Sequence, residues 1–339
     1  MKHVFTRAFA VAVVVVALPA WSQASEIVDT AYVQNAQKNG AIVWDIRDAD
    51  SYKAGHIAGA VNVGDIGKVL RDPNKEDWLS NAQIETVLGN GGIDLPNKEV
   101  IVYSTKADPY AYFGLSTIRY YGGKSGKVYH GGLDDWKAAG LPVATEPTKL
   151  APVALKVNPQ KGVVVWTDEM VQKVAEAKSG KVQIVDARTP AEFAGTDIRA
   201  IRGGHIPGAV NIPYEQNWMD PATAGKFAKQ EVKTRDGMSL KPAADLKKLY
   251  AGLDMNKETI VYCQSGVRGA EAATVLRELG FKDVKIYEPS WLVYAGTLSA
   301  PADNEAFVNI GALNGRIAGL QGRVDDLEAE LATLKTTKK

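Results

Sequence analysis

Cysteine is almost absent: Cys263 is the only one in 339 residues. A lone cysteine cannot close an internal disulfide, so it is either a buried, inert side chain or a free thiol kept for its reactivity. Charge of either sign is not in excess. With 40 basic and 39 acidic residues the chain carries a net +1, and nothing in that balance points to nucleic acid as a partner. Long apolar runs are missing after the first 24 residues, so no membrane span is expected in the mature chain. The rest of the composition, 45% hydrophobic and 23% charged, is that of an ordinary globular protein, and the length predicts about two domains.

Residues 1–24 differ in character from the remainder of the chain. Lys2 and Arg7 precede an unbroken apolar run of 11 residues from Ala8 to Leu18, and Ser22-Gln23-Ala24 supplies the small residues a signal peptidase reads. The segment reads as a secretory signal cleaved after Ala24, too short to span a bilayer comfortably. The expected product is a soluble periplasmic protein with 38 basic and 39 acidic residues. Export sharpens the reading of Cys263, because cysteines in oxidising compartments usually occur in disulfide pairs.

From Ser25 onward, short apolar strands alternate with helical stretches, and the pattern occurs twice. Ala41-Ile-Val-Trp-Asp-Ile-Arg47 matches Gln183-Ile-Val-Asp-Ala-Arg188, placing Asp45 with Asp186 and Arg47 with Arg188. Gly55-His-Ile-Ala-Gly-Ala-Val-Asn62 matches Gly204-His-Ile-Pro-Gly-Ala-Val-Asn211, and Val100-Ile-Val-Tyr-Ser104 matches Thr259-Ile-Val-Tyr-Cys263. Three matches in one order imply two homologous domains. Alternating strands and helices predict a parallel sheet flanked by helices in each. Ligands of such sheets lie beyond the carboxyl ends of the strands. The proline-containing stretch around 148–160 reads as the linker. The expected division is 25–147, linker 148–160, 161–301, and a terminal helix over 304–337.

Cys263 stands at one of those strand ends. Thr259 to Tyr262 reads as a buried strand and Ala270 to Leu279 as a helix, which leaves a six-residue loop from Cys263 to Arg268. Unpartnered N–H groups at a helix N-terminus, together with the helix dipole, favour a thiolate there over a thiol. In the terminal helix, Ile310, Leu313, Ile317, Leu320, Val324, Leu327, Leu331 and Leu334 alternate spacings of three and four. β-Branched residues at most a positions and Leu at each d position predict a parallel two-stranded coiled coil, hence a homodimer through residues 310–334. The alternative is a helix folded back on its own domain.

Asp186-Ala-Arg188, Gly204-His-Ile-Pro-Gly-Ala-Val-Asn211 and Cys263-Gln-Ser-Gly-Val-Arg268 resemble the signatures of the rhodanese superfamily. Two such domains with cysteine only in the second resemble the thiosulfate and 3-mercaptopyruvate sulfurtransferases, over residues 25 to 300. The resemblance implies an α/β fold of two tandem rhodanese-like domains, to which the coiled-coil helix is added. It also implies sulfur transfer through a persulfide on Cys263, from a small-molecule donor to a thiophilic acceptor such as cyanide or a thiol, with no cofactor and no metal. The backbone of Gln264, Ser265, Gly266, Val267 and Arg268 would cradle the sulfur anion. The Arg268 guanidinium would meet either an anionic donor or a carboxylate such as Asp186. Arg188, Arg199, Arg202 and Trp291 complete the expected substrate site.

Four residues lie between Cys263 and Arg268, where phosphatases of similar fold have five, which argues against a phosphatase. In the first domain Ser104 replaces the nucleophile, so that domain is expected to be non-catalytic, and His56 and His205 are expected to hold loops. Two departures bear on substrate choice. Glu192 stands where tandem members carry an arginine, and Tyr287-Glu-Pro-Ser-Trp291 has proline in place of glycine. A loop ending in Arg268 resembles those of thiosulfate-using rhodaneses, and that resemblance implies thiosulfate rather than mercaptopyruvate. A sulfur or selenium carrier without efficient turnover is the second reading, and a scaffold with an incidental thiol the third.

Overall fold

The computed structural model describes residues 25–74 and 76–337; the expected signal segment, 1–24, lies outside them. In the first domain, strands β1 (Ile27–Val28), β2 (Ile42–Asp45), β3 (Val61–Asn62), β4 (Glu99–Tyr103) and β5 (Ser125–Tyr129) form a parallel sheet in the order β1-β5-β4-β2-β3. The second domain repeats it with β6 (Val164–Val165), β7 (Val182–Asp186), β9 (Ala209–Asn211), β10 (Glu258–Tyr262) and β11 (Asp283–Tyr287), in the order β6-β11-β10-β7-β9. The strand β8 (Arg202–His205) lies outside this sheet. Val100 to Tyr103 and Thr259 to Tyr262 are buried at every position. Helices cover both faces of a parallel sheet, so its central strands are continuous apolar runs rather than alternating ones.

The helices that position the site are α1 (Pro109–Tyr120), α2 (Pro190–Phe193), α3 (Val267–Glu278) and α4 (Ser290–Gly296). Helices α1 and α3 pack on each other across the domain boundary. One apolar cluster contains Phe113, Leu115 and Ile118 of α1 together with Val267, Ala270 and Leu276 of α3. The two domains therefore share a core. The linker has no regular structure from 148 to 160, but its backbone is pinned, with the Val153 N–H donating to Gly89 O and the Asn158 N–H to Tyr121 O.

The repeated motifs form the same network twice. Arg47 clamps Asp45 and donates to Gly55 O at 2.8 Å. Arg188 clamps Asp186 at 2.6 Å and donates to Gly204 O at 2.7 Å. Asn62 and Asn211 each donate to the carbonyls of the Asp and Arg in their own domain. His56 Nδ1 lies 2.9 Å from Tyr52 O with its ring stacked on Tyr52, and His205 Nδ1 lies 2.9 Å from Phe193 O with its ring stacked on Phe193. These motif residues thus hold the turns that follow the strands, in the domain without a cysteine as in the domain with one.

Beyond Pro301, strand β12 (Asp303–Phe307) pairs antiparallel with β8. The second domain therefore reaches past the expected boundary at 301, because β8 needs a pairing partner. Helix α5 (Ile310–Thr337) follows, and its eight seam residues are 46% to 61% exposed. It does not fold back on its own domain. No helix among the described residues is long and apolar enough to cross a membrane.

Candidate active site

Cys263 ends up at the floor of the loop, with only 1% of its surface exposed. Strand β10 delivers it, and Gly266 turns the chain at φ +83 into α3. A residue with a side chain there would have to adopt the disfavoured left-handed conformation. The helix starts at Val267, three residues earlier than the sequence pattern suggested, so Arg268 belongs to its first turn. The expected start at Ala270 was late because the first turn of α3 carries a glycine and an arginine, which blur the apolar period.

The loop is braced from below by Ser290, the first residue of α4. Its hydroxyl accepts from the N–H of Cys263 at 3.2 Å and of Gly266 at 2.9 Å, and donates to Tyr287 O at 2.8 Å. Ser290 itself sits at φ +53, a position that costs a non-glycine residue of order 1–3 kcal/mol. The Gly266 amide is thus already spent on Ser290. The amides of Gln264, Ser265, Val267 and Arg268 have no acceptor among the described residues, which leaves four donors around the loop.

The side-chain partners differ from expectation. Arg268 does not pair with Asp186; it makes a two-pronged pair with Glu192 of α2, at 2.7 and 2.8 Å. Asp186 is saturated by Arg188. Burial alone would raise the Glu192 pKa, but Arg268 outweighs it and holds the carboxyl at about 2. Burial likewise works against the charge on Arg268, yet Glu192 and the nearby Cys263 sulfur raise its pKa. Glu192 also caps α2 through Thr189, so the α2 carboxylate and the α3 guanidinium are fixed as one unit.

Four other expected contacts separate. Arg188 is committed to Asp186 and Gly204, and its guanidinium lies over the rings of Tyr262 and Trp291. Arg202 is spent on the carbonyls of Ala295, Thr297 and Ala300 and on Glu305. Trp291 is 1% exposed, and its indole N–H donates to Arg202 O at 3.0 Å. These three hold scaffold. Arg199 is different: its side chain is 53% exposed, 3.5 Å from Glu192, and its carbonyl accepts from the Gln264 side chain at 2.8 Å. It is the expected arginine with a guanidinium reachable beside the loop.

The equivalent loop of the first domain is one residue longer, with Ser104 five positions ahead of Pro109, and it is filled from within. Asp108 accepts from the Ser104 hydroxyl at 2.5 Å and from the Tyr110 N–H at 2.9 Å. Its carboxyl therefore takes the helix N-terminus that a bound anion would need. Burial raises the Asp108 pKa, and the Ser104 contact opposes this.

Sequence reading passed over Ser290, Glu288 and Arg71, which all touch the Cys263 loop. Ser290 and Glu288 lie in the Tyr287 to Trp291 stretch, where the sequence points to Trp291 alone as a substrate-site residue. Arg71, in a loop of the other domain, carried no local signal.

A profile of the rhodanese-like domain matches residues 29–139 and 170–296. The chain belongs to the rhodanese family. It is 30% identical over 284 residues to a putative thiosulfate sulfurtransferase of Saccharopolyspora erythraea, covering 80% of this chain and 93% of that one. It is 32% identical over 276 residues to the thiosulfate sulfurtransferase of Corynebacterium glutamicum, covering 77% and 84%. Among solved structures, the 3-mercaptopyruvate sulfotransferase SseA of Escherichia coli matches with a TM-score of 0.66 at 24% identity, over 79% of this chain and 99% of that one, a likeness of fold.

Proposed function

We propose that the protein is an exported sulfurtransferase that carries sulfane sulfur on Cys263 and prefers thiosulfate to 3-mercaptopyruvate. The observation that carries the reading is the Cys263 loop: one thiol at a strand end, followed by four amides that have no acceptor among the described residues. The matching loop of the other domain holds Ser104 and is blocked by Asp108. The Cys263 thiolate attacks the outer sulfur of thiosulfate, the S–S bond breaks and sulfite leaves with its electron pair. The resulting persulfide lends its terminal sulfur to cyanide or a thiol, which regenerates the thiolate, and no outside oxidant is needed. Gln264, Ser265, Val267 and Arg268 offer backbone donors to the sulfur anion, and Arg199 meets the donor at the rim.

Intact mass spectrometry after thiosulfate exposure tests this. The expected spectrum shows a chain beginning at Ser25 that gains one sulfur, loses it to cyanide, and gains none as Cys263→Ser. If no adduct forms with any sulfane donor, sulfur transfer is excluded; a mass that retains residues 1–24 in periplasmic material excludes the processing.

The exported chain is further read as a parallel homodimer through α5. Four glycines in that helix, at 311, 315, 319 and 322, each cost about 1 kcal/mol relative to alanine. A lone helix of this kind is marginal in water, and a second copy would cover the exposed seam. In a parallel pair Arg323 faces Glu328 and Glu330 faces Lys335 of the other copy. Run antiparallel over the same residues, Arg323 would meet Arg323.

A further inference from the structure

The Cys263 loop is held from two sides, and one holder comes from the other domain. Arg71, beyond β3, is 2% exposed. Its Nη2 donates to Ser265 O at 2.5 Å and lies 3.8 Å from Glu288 Oε1. The guanidinium also donates to Glu76 O and rests 4.8 Å from the Phe113 ring centroid. Ser265 O and Gly266 N belong to one peptide unit, and Ser290 grips the nitrogen end of it. That unit is therefore clamped at both ends, by Arg71 from one domain and Ser290 from the other. Its orientation sets where the flanking amides of Gln264, Ser265, Val267 and Arg268 point.

Glu288 lies against the same turn. A Cβ on Gly266 would stand 2.8 Å from Glu288 O and 3.4 Å from its Oε1. Glu288 is 1% exposed, and neither carboxyl oxygen has a hydrogen-bond partner among the described residues.

We propose that Arg71 is a positioning residue for Cys263, supplied by the domain that lacks a cysteine, and that Glu288 sets how firmly Arg71 holds the loop. The proposal rests on Cys263 being the nucleophile. The charged and titratable groups around Glu288 are Arg71, Glu76 and Asp77 from the first domain, Tyr120 and Tyr121 at the end of α1, and Tyr287, which precedes it in the chain. Burial pushes the Glu288 carboxyl up to about 8, Arg71 pulls against that, and Asp77 and Glu76 add to it. Below that pH Glu288 is neutral and Arg71 gives its donor to Ser265. Above it the carboxylate competes for the same guanidinium from 3.8 Å, and the clamp slackens.

Alkylation of Cys263 by iodoacetamide tests the proposal without any sulfur donor, so it stays readable if sulfur transfer itself fails. Rates are compared across about pH 6 to 10 for the wild type, Arg71→Lys, Arg71→Met and Glu288→Gln, with circular dichroism reporting the fold. Arg71→Met is expected to react about tenfold more slowly at pH 7, the scale of one charge-assisted hydrogen bond, and Arg71→Lys to recover part of the loss. The ratio of wild-type to Glu288→Gln rates should stay near one well below pH 8 and fall as the pH rises past about 8. A folded Arg71→Met with the wild-type rate overturns the proposal. If that variant does not fold, Arg71→Lys and Glu288→Gln decide: a wild-type lysine rate with a ratio flat in pH overturns it as well.

Discussion

Arg268 and Glu192 stand 76 residues apart in the chain and 2.7 Å apart in space. Their pairing changes what the loop arginine offers a substrate, because a guanidinium already bound in two places by a buried carboxylate presents little net charge to an anionic donor. Glu192→Gln should free that charge and lower the KM for thiosulfate several-fold while leaving the Cys263 loop in place. Steady-state kinetics check it, and an unchanged KM in a folded variant contradicts it. The same pair has a pH signature. The Glu192 pKa lies below that of an unfolded glutamate, so its contribution to stability is complete above about pH 4.5 and fades as pH falls towards about 2. That contribution is about 3 kcal/mol, and Glu192→Gln should be less sensitive to acid across the window in thermal melts.

Among the elements, the turn from β10 into α3 does the most with the fewest residues. Gly266 at φ +83 is tightly enclosed, with Glu288 O at 2.8 Å from any added Cβ. Gly266→Ala would combine left-handed strain with a backbone clash and should cost about 2–4 kcal/mol. It should also slow alkylation of Cys263, since the amides after the turn would be re-aimed. Denaturant melts and the alkylation rate read the two effects separately, and an alanine variant with wild-type values in both would show that the turn tolerates a side chain. In the first domain, Asp108 closes the corresponding turn by capping its own helix, which is why exchanging Ser104 alone would still leave an occupied helix N-terminus.

At the scale of the whole molecule, the shared core between α1 and α3 makes the domains one unit, and the exposed α5 leaves that unit as an arm. The arm is joined through β12, whose Glu305 pairs with buried Arg202. A chain ending at Val308 should keep its melting temperature within a few degrees and lose self-association in light scattering. A chain ending at Pro301 would also lose β12 and should melt lower, because Arg202 is left buried without its carboxylate. If the chain ending at Val308 keeps the mass of the full-length protein in solution, the arm is not the dimer contact.

The sequence by itself determined the doubled parallel sheet, the placement of Cys263 at a strand end and the heptad seam. All three rest on local periodicity and on motifs written twice, which survive in one dimension. Tertiary structure alone decided the neighbours of the loop. Arg268 meets Glu192 rather than Asp186 because Arg188, two residues from Asp186, already saturates it. Arg202 and Trp291 hold scaffold because β8 and α4, which carry them, pack on each other. Arg71 reaches Ser265 across 194 residues. Which charge a buried guanidinium meets depends on how two sheets dock, and no period or spacing in the chain encodes that distance.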